Sequence, residues 1–265
     1  MPKEQVQNNP GKGAKLPESI SPLNLPEAEQ AQFEKNFIKT AVCELRFPAL
    51  LEFERKSPEQ LQKELRKEFP NYERQQAVSL TNLEEKEIKH VLTSRKKDWV
   101  IAFKSYSIAV QTDRYTHFEE FAAMANHVFD KARPLLDTDF FTRVGLRYIN
   151  EVRIEDRELP GWINEDLIAP IVHGIYGTVD RFLQEVRGTG KSGHFTFRHG
   201  IAGLEEGKRD IYIVDFDFYN ENVQAEAVAP MVSDFNREAF RFFLWAMGPK
   251  ALDRLGQPMK RKDKK

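Results

Sequence analysis

The chain has 265 residues, of which 40% are hydrophobic, and its 40 Lys and Arg residues nearly balance 41 Asp and Glu residues for a formal net charge of −1. This balance excludes the overall positive field that drives non-specific nucleic-acid binding. A single cysteine, Cys43, excludes an internal disulfide and a multi-thiolate metal site. Without an apolar stretch long enough for a membrane span or a signal peptide, we expect a cytoplasmic protein that does not contact a membrane.

Composition divides the chain into four segments. Residues 1–32 are rich in Pro, Gln, Asn and Lys, which predicts a disordered N-terminal tail. Residues 257–265 contain mostly Lys and Arg and are predicted to form a basic C-terminal tail. Between these tails, 33–138 and 139–256 each show the hydrophobic patterns of mixed helices and strands, and we expect each to form an α+β unit.

The first unit begins with strand-like composition at Phe37–Phe47. Ser57-Pro58 is a typical helix start, and apolar residues at Leu61, Leu65 and Phe69 predict the buried face of a helix that ends at Pro70. A capping box formed by Thr116 and Glu119 predicts the start of a second, longer helix. The remaining predicted strands of this unit are Glu73–Leu80, Lys86–Ser94 and Trp99–Thr112.

The second unit repeats this order. Helices are predicted over Ile163–Tyr176 and Val223–Met247, the latter ending at Gly248-Pro249. The predicted strands are Phe140–Ile154, Val179–Arg187, His194–His199 and Asp210–Tyr219. The two units also share a short motif in their first strands, Leu-Arg-Phe ending at Phe47 and Leu-Arg-Tyr ending at Tyr148. We therefore predict an internally duplicated α+β fold, with a largely antiparallel sheet and helices on one face.

The string Gly-Thr-Gly-Lys-Ser at 188–192 resembles the end of a phosphate-binding loop. Such a loop requires a glycine five residues before Gly190, followed by a helix after the Ser. Glu185 occupies the glycine position, and the following residues alternate as in a strand. We predict a turn between two strands, with Gly188, Gly190 and Gly193 supplying positive φ angles.

The strand "TRVGLRYINEVRI" carries the main candidate binding site. Alternation places Leu146 and Tyr148 on one face and Arg143, Gly145 and Arg147 on the other. Two arginines flanking a glycine favour an anion or a partner protein. Charged residues are ordinary on the solvent side of an antiparallel sheet, so we favour a structural ion network with Glu44 and Arg46 of the first strand over a binding site. The candidate binding residues are Arg143, Gly145, Arg147, Tyr148 and Asn150.

The strand "IYIVDFDFYN" provides a candidate metal site. Asp215 and Asp217 share one face, so that their carboxylates could hold Mg²⁺ or pair with Arg143 and Arg147 on a neighbouring strand. The histidines form no pair with metal-ligand spacing, and Cys43 lies among apolar neighbours. We predict no cofactor, and the absence of a recognisable catalytic constellation argues against an enzyme.

The segments "AVCELRFPALLEFERKSPEQLQKELRKEFPNYE", "RVGLRYINEVRI" and "VDFDFYNE" carry a family resemblance. The chain resembles an uncharacterised prokaryotic family of similar length, in which "RxGLRYIN" forms a central strand and "DxD" a late one. The family occurs sporadically among genomes, as accessory genes of phage-defence or toxin–antitoxin modules do. The resemblance therefore implies an accessory role and a protein partner.

Three functional hypotheses follow. The first is a non-enzymatic protein that binds another protein within a phage-defence or toxin–antitoxin type of module. The second is a sensor of a small anion or nucleotide, bound on the sheet face around Gly145. The third is a metal-dependent phosphoryl-transfer enzyme or nuclease that uses Asp215 and Asp217.

Overall fold

The computed structural model describes residues 25–26, 28–54, 56–78, 86–155, 158–201 and 211–259. Within them the fold is α+β, with one nine-stranded antiparallel sheet, one two-stranded sheet and five α-helices. The strands are β1 Gln32–Phe33, β2 Ile38–Arg46, β3 Asn71–Val78, β4 Lys86–Thr93, β5 Trp99–Lys104, β6 Ser107–Thr112, β7 Phe140–Arg153, β8 Phe182–Gly190, β9 Gly193–Ile201, β10 Ile211–Gln224 and β11 Pro258–Met259. The helices are α1 Glu59–Leu65, α2 Phe118–Leu136, α3 Glu165–Val172, α4 Val228–Ala246 and α5 Pro249–Leu255.

The large sheet has the order β3-β4-β5-β6-β2-β7-β10-β9-β8. β2 and β7 meet at its middle, where Cys43 lies opposite Leu146. β7 and β10 are the longest strands and pair over nearly their whole length, with Arg147 opposite Asp217. The sheet thus places the two strands that carry the candidate residues side by side. This is the arrangement in which their arginines and aspartates can form ion pairs.

α2 and α4 pack on one face of the sheet, here called the helix face. Its core is strongly aromatic: the ring of Phe242 in α4 lies 4.6 Å from that of Phe197 and 5.2 Å from that of Phe216, measured between centroids. In the other half of the sheet, Phe121 of α2 stacks on Trp99. Burial of these rings stabilises the fold because aromatic side chains remove large apolar areas from water.

Several predicted boundaries are corrected by the structure. The segment predicted as one strand over Trp99–Thr112 is the hairpin β5–β6, which turns at Ser105-Tyr106. The predicted helix from Val223 begins at Val228, because β10 extends to Gln224. The predicted end of that helix before Gly248-Pro249 is confirmed, since α4 ends at Ala246. Pro249 occupies the first turn of a further helix, α5, where proline's missing N–H costs no hydrogen bond.

The predicted helix caps also differ from the structure. α2 begins one residue later than the Thr116 cap implies, and the ring of His117 accepts the backbone N–H of Glu120. Ser57 makes no cap hydrogen bond to α1 through its side chain. α1 ends at Leu65, and Phe69 lies buried beyond it, held by a bond from its N–H to the Leu65 carbonyl.

Parts of both predicted tails are ordered. Gln32 pairs with Met259 and Phe33 with Pro258, so that β1 and β11 form a small second sheet. The rest of those tails, residues 1–24, 27 and 260–265, lies outside the described residues, as do the predicted strand ends Leu80 and Asp210. Among the described residues, no helix combines the length and apolarity needed to cross a bilayer.

Candidate functional site

The face of the sheet opposite the helices carries a row of charged side chains across five adjacent strands, and we call it the charged face. It is formed by β2, β7, β10, β9 and β8, which are adjacent in the sheet. The side chains in question are Glu44, Arg46, Arg143, Arg147, Glu185, Arg198, Asp215 and Asp217. Strict alternation within each strand places them together, because the residues between them face the helices.

Arg143 lies at the centre of one cluster. Its Nη2 donates to both carboxylate oxygens of Asp217, at 2.8 and 3.0 Å, and its Nη1 donates to Glu44 at 3.1 Å. The guanidinium also lies over the ring of Tyr219, with Cζ 4.5 Å from the ring centroid. Only 14% of the Arg143 side chain is exposed, so this ion cluster is largely shielded from water.

Gly145 provides the space for this guanidinium. A Cβ at position 145 would lie 2.4 Å from Nη1 of Arg143 and 2.9 Å from its Cζ. The glycine in "RVGLR" therefore admits the arginine two residues before it. The space above Gly145, which we predicted to admit a ligand, is filled by the guanidinium of Arg143.

Arg147 and Asp215 form the second cluster. Nε and Nη2 of Arg147 donate to the two carboxylate oxygens of Asp215 at 2.8 and 2.7 Å, a bidentate pair. Arg198 lies 3.5 Å from the same carboxylate and 2.5 Å from Glu185. Bonding to Asp215 raises the pKa of Arg147, and bonding from Arg198 lowers the pKa of Glu185.

The two aspartates of the candidate metal site are thus each held by an arginine. Asp215 is nearly buried, with 5% of its side chain exposed, and Asp217 is 21% exposed. Within the described part of the chain, no group of three or more His, Cys, Asp or Glu side chains is arranged to hold a metal ion. The geometry on this face is that of a structural ion network, which is the interpretation that the sequence favoured for these strands.

Tyr148 and Asn150 do not lie with the arginines. Both are buried on the helix face, at 4% and 2% exposure. The Tyr148 hydroxyl donates to Oδ1 of Asn236 in α4 at 2.9 Å, and Nδ2 of Asn150 donates to the Val214 carbonyl at 3.0 Å. Burial, reinforced by Tyr115, raises the pKa of Tyr148. These two residues join the sheet to α4 and to β10 and are not part of the charged face.

The Gly-Thr-Gly-Lys-Ser string forms the turn that the sequence predicts. Gly190 and Gly193 pair across Lys191-Ser192, and β9 follows where a phosphate-binding loop would begin a helix. Of the three glycines expected at positive φ, only Gly193 is, at 128°. Gly188 instead leaves room for the Phe195 ring, which lies 2.5 Å from where a Cβ would be.

Two buried histidines also lie on the helix face. Nδ1 of His199 is 2.7 Å from the Tyr212 hydroxyl, and burial lowers the pKa of His199 to about 4. His90 is equally buried, and its Nε2 has no hydrogen-bond partner among the described residues. Burial also lowers the pKa of His90.

Cys43 is not a candidate nucleophile. It is fully buried between β6 and β7, and burial together with the neighbouring Glu44 raises the pKa of its thiol to about 12. A thiol in this environment stays protonated at neutral pH, and the thiolate is the reactive form. Cys43 therefore serves as a small apolar side chain, as the sequence predicts.

Arg198 and Tyr219 also belong to the charged face, although neither was predicted from the sequence as a site residue. Arg198 lies between two buried residues of β9, and Tyr219 follows a buried residue of β10, so the alternation of side chains along each strand already placed both on the face away from the helices. The alternation does not give the order of the strands, and it is this order that places Arg198 opposite Asp215.

Away from this face, a cavity of about 740 Å³ lies near the start of β7, lined by Leu50, Arg133 and Asp139 among others.

Comparison of the sequence with models of known protein families and with the curated proteins found no match.

Proposed function

We propose that this chain is a non-enzymatic protein that binds another protein through the charged face of its sheet, as an accessory component of a phage-defence or toxin–antitoxin type of module. The observation that carries the proposal is the mutual pairing of Arg143 with Asp217 and of Arg147 with Asp215. Groups that neutralise each other within one rigid sheet form a preorganised polar surface rather than a reactive centre.

The composition of this surface suits protein recognition. Arginine and tyrosine are enriched at the energetic centres of protein interfaces, and Arg143, Arg147, Arg198 and Tyr219 lie together here. Their side chains are already held by hydrogen bonds and stacking, so that a partner would order few additional groups on binding. Preorganisation of this kind increases affinity by lowering the entropy cost of association.

The mixed charge of the face also favours a protein over a nucleic acid. Acidic residues alternate with arginines across the strands, so the face offers no continuous basic track for a phosphate backbone. The formal net charge of −1 agrees with this preference. The assignment to a defence or toxin–antitoxin type of module rests on the family resemblance of the "RVGLRYIN" and "VDFDFYNE" segments.

The proposal is tested by affinity purification of the tagged chain from its native host, with quantitative mass spectrometry. We expect one partner at stoichiometric level with the wild type. Arg147→Gln should reduce its recovery roughly tenfold or more, since loss of an arginine at the energetic centre of an interface costs about 2 kcal/mol or more. Arg133→Gln is the matched control, because Arg133 is exposed on α2, away from the charged face.

Recovery of no stoichiometric partner would contradict the proposal, as would a partner retained equally by Arg147→Gln. A thermal melt of each variant shows whether a loss of binding reflects loss of the fold.

The same wild-type protein and variants of Arg147 and Asp217 test the two other hypotheses. A nucleotide that raises the melting temperature of the wild type but not of Arg147→Ala would favour the anion sensor, and Mg²⁺-dependent turnover lost in Asp217→Asn would favour the enzyme.

We also propose that the two halves of the sheet derive from a duplicated unit. Support comes from β2 and β7, which pair antiparallel at the middle of the sheet and carry the shared Leu-Arg motif. Leu45 and Leu146 both face the helices, whereas Arg46 and Arg147 both lie on the charged face. Profiles of many relatives, aligned half against half, should match these positions; an alignment that offsets them would contradict duplication.

A further inference from the structure

β8 is an edge strand with an unusual exposed surface. It ends the order of the large sheet, and no described strand pairs with its outer side. Leu183 is 57% exposed and Val186 47% exposed, although both lie in a regular strand. An edge strand with exposed apolar side chains is a template for pairing with another strand.

The β8–β9 hairpin determines which backbone groups of β8 point to this free edge. Gly190 and Gly193 flank a two-residue turn and form its closing hydrogen-bonded pair. Hydrogen-bonded and non-hydrogen-bonded pairs alternate from there along an antiparallel ladder. The backbone groups that face outward therefore belong to Leu183, Glu185, Arg187 and Thr189.

From this edge we propose that the chain forms a homodimer in which β8 pairs antiparallel with β8 of a second copy, about a two-fold axis at Val186. In this register Glu185 lies opposite Arg187 of the second copy, and Leu183 lies opposite Thr189. All four outward-facing residues then find hydrogen-bonding partners. Because the arrangement is isologous, each contact away from the axis occurs twice.

Charge complementarity selects the second copy and this register. Glu185 and Arg187 lie on the same side of the strand, and each acquires an opposite charge across the axis. A register shifted by one outward pair in either direction would place Glu185 opposite Glu185, or Arg187 opposite Arg187. Both shifted registers oppose like charges, which destabilises a cross-strand pair.

Pairing in this way would join two nine-stranded sheets into one and extend the charged face across the axis. Arg187 is well suited to the contact, because 71% of its side chain is exposed. Glu185 already bonds Arg187 and Arg198 of its own chain, so its carboxylate is oriented before a second copy approaches. This inference is independent of the protein partner proposed above.

The oligomeric state is the first test, measured by multi-angle light scattering over a range of protein concentrations. We expect the mass of a dimer for the wild type and of a monomer for Val186→Lys, which places two ammonium groups opposite each other at the axis. Leu51→Lys is the matched control: Leu51 is 72% exposed and lies outside β8, so this variant should remain dimeric. A monomeric wild type, or a Val186→Lys dimer, would overturn the proposal.

Disulfide trapping tests the register itself. At the axis, Val186 and its symmetry mate form a non-hydrogen-bonded pair with Cα atoms about 4.5 Å apart, within the range of a disulfide. Val186→Cys should therefore cross-link rapidly under mild oxidation. Leu183→Cys should not, because the two copies of residue 183 would lie about 20 Å apart along the strands. The native Cys43 is buried and does not interfere. Equal cross-linking of the two variants would overturn the register.

Discussion

The two faces of β7 and β10 are built from alternating residues of the same fourteen-residue strands, yet they are held by different forces. On the helix face, Phe216 and Tyr148 lie opposite each other and are buried under α4. On the charged face, Arg147 and Asp217 lie opposite each other and belong to an ion network. Apolar burial stabilises the first face, and charge-assisted hydrogen bonds organise the second.

Because different forces stabilise the two faces, we expect them to tolerate substitutions to different degrees. Removal of a ring from the helix face leaves a cavity in a close-packed interior. Removal of one charged group leaves its partners unpaired in a half-shielded environment, where water compensates in part. We therefore expect the helix face to respond more strongly than the charged face, and the following predictions examine this order.

The largest effect is expected from Phe242→Ala. Phe242 contacts the rings of Phe195, Phe197 and Phe216, and the truncation removes this contact from the centre of the helix face. The free energy of unfolding, measured by urea denaturation, should fall by about 3–5 kcal/mol. Leu51→Ala, at a highly exposed position, should change it by less than about 0.5 kcal/mol. A loss below 1 kcal/mol for Phe242→Ala would contradict the assignment of this core.

On the charged face, Asp215→Ala should cost about 2–3 kcal/mol, because it leaves the guanidinium groups of Arg147 and Arg198 without their shared carboxylate. Asp234→Ala serves as the control. It removes an exposed ion pair with Arg237 on α4 and should cost less than about 0.5 kcal/mol. If the two variants unfold at the same urea concentration, the network contributes no more than an ordinary surface pair.

Acid should weaken the helix face through His199. Because burial lowers its pKa to about 4, the folded protein holds this histidine neutral, whereas the unfolded chain protonates it near pH 6.5. Its contribution to stability is complete above pH 6.5 and is lost as the pH falls toward 4. We expect a loss of about 2 kcal/mol between pH 7.5 and pH 5. His199→Gln should remove this contribution and leave that of His90, the other buried histidine with a lowered pKa, whereas His127→Gln, at an exposed position, should leave the dependence unchanged.

The smallest effect is expected from Tyr148→Phe, which keeps the ring but removes the hydroxyl that bonds Asn236. The lost bond should lower the free energy of unfolding by about 1 kcal/mol. Adding Asn236→Leu should recover part of this loss, because the acceptor left unpaired by the first substitution is then removed as well. A double variant less stable than the sum of the two single variants would contradict this pairing.

Local patterns predicted most of the helices and strands. The capping signals near α2 and the alternation in β7 and β10 were sufficient to locate these elements and to assign the faces of Leu146 and Arg147. Strand boundaries were less well predicted where both strands of a hairpin and its turn have strand-like composition, as in β5 and β6. A two-residue turn leaves no composition signal when its residues are Ser105 and Tyr106.

The sequence predicted most residues of the candidate site, but it did not predict which of them pair with each other. Sequence alone indicated that Asp215 and Asp217 share a face, and that Arg143 and Arg147 share another strand's face. It left open whether the two strands are neighbours, because strand order depends on contacts between residues far apart in the chain. Arg198 and Tyr219 joined the site only through that order.

β2 completes the middle of the large sheet, although its partners come much later in the chain. Arg46 pairs with Ser107 on one side and with Arg143 on the other. During synthesis β2 therefore emerges long before either neighbouring strand exists. Closing such long loops costs entropy before the contacts form, so sheets with distant partners fold slowly, typically in milliseconds to seconds. The charged face, which runs from β2 through β7 and β10 to β9 and β8, is complete only when this late pairing has formed.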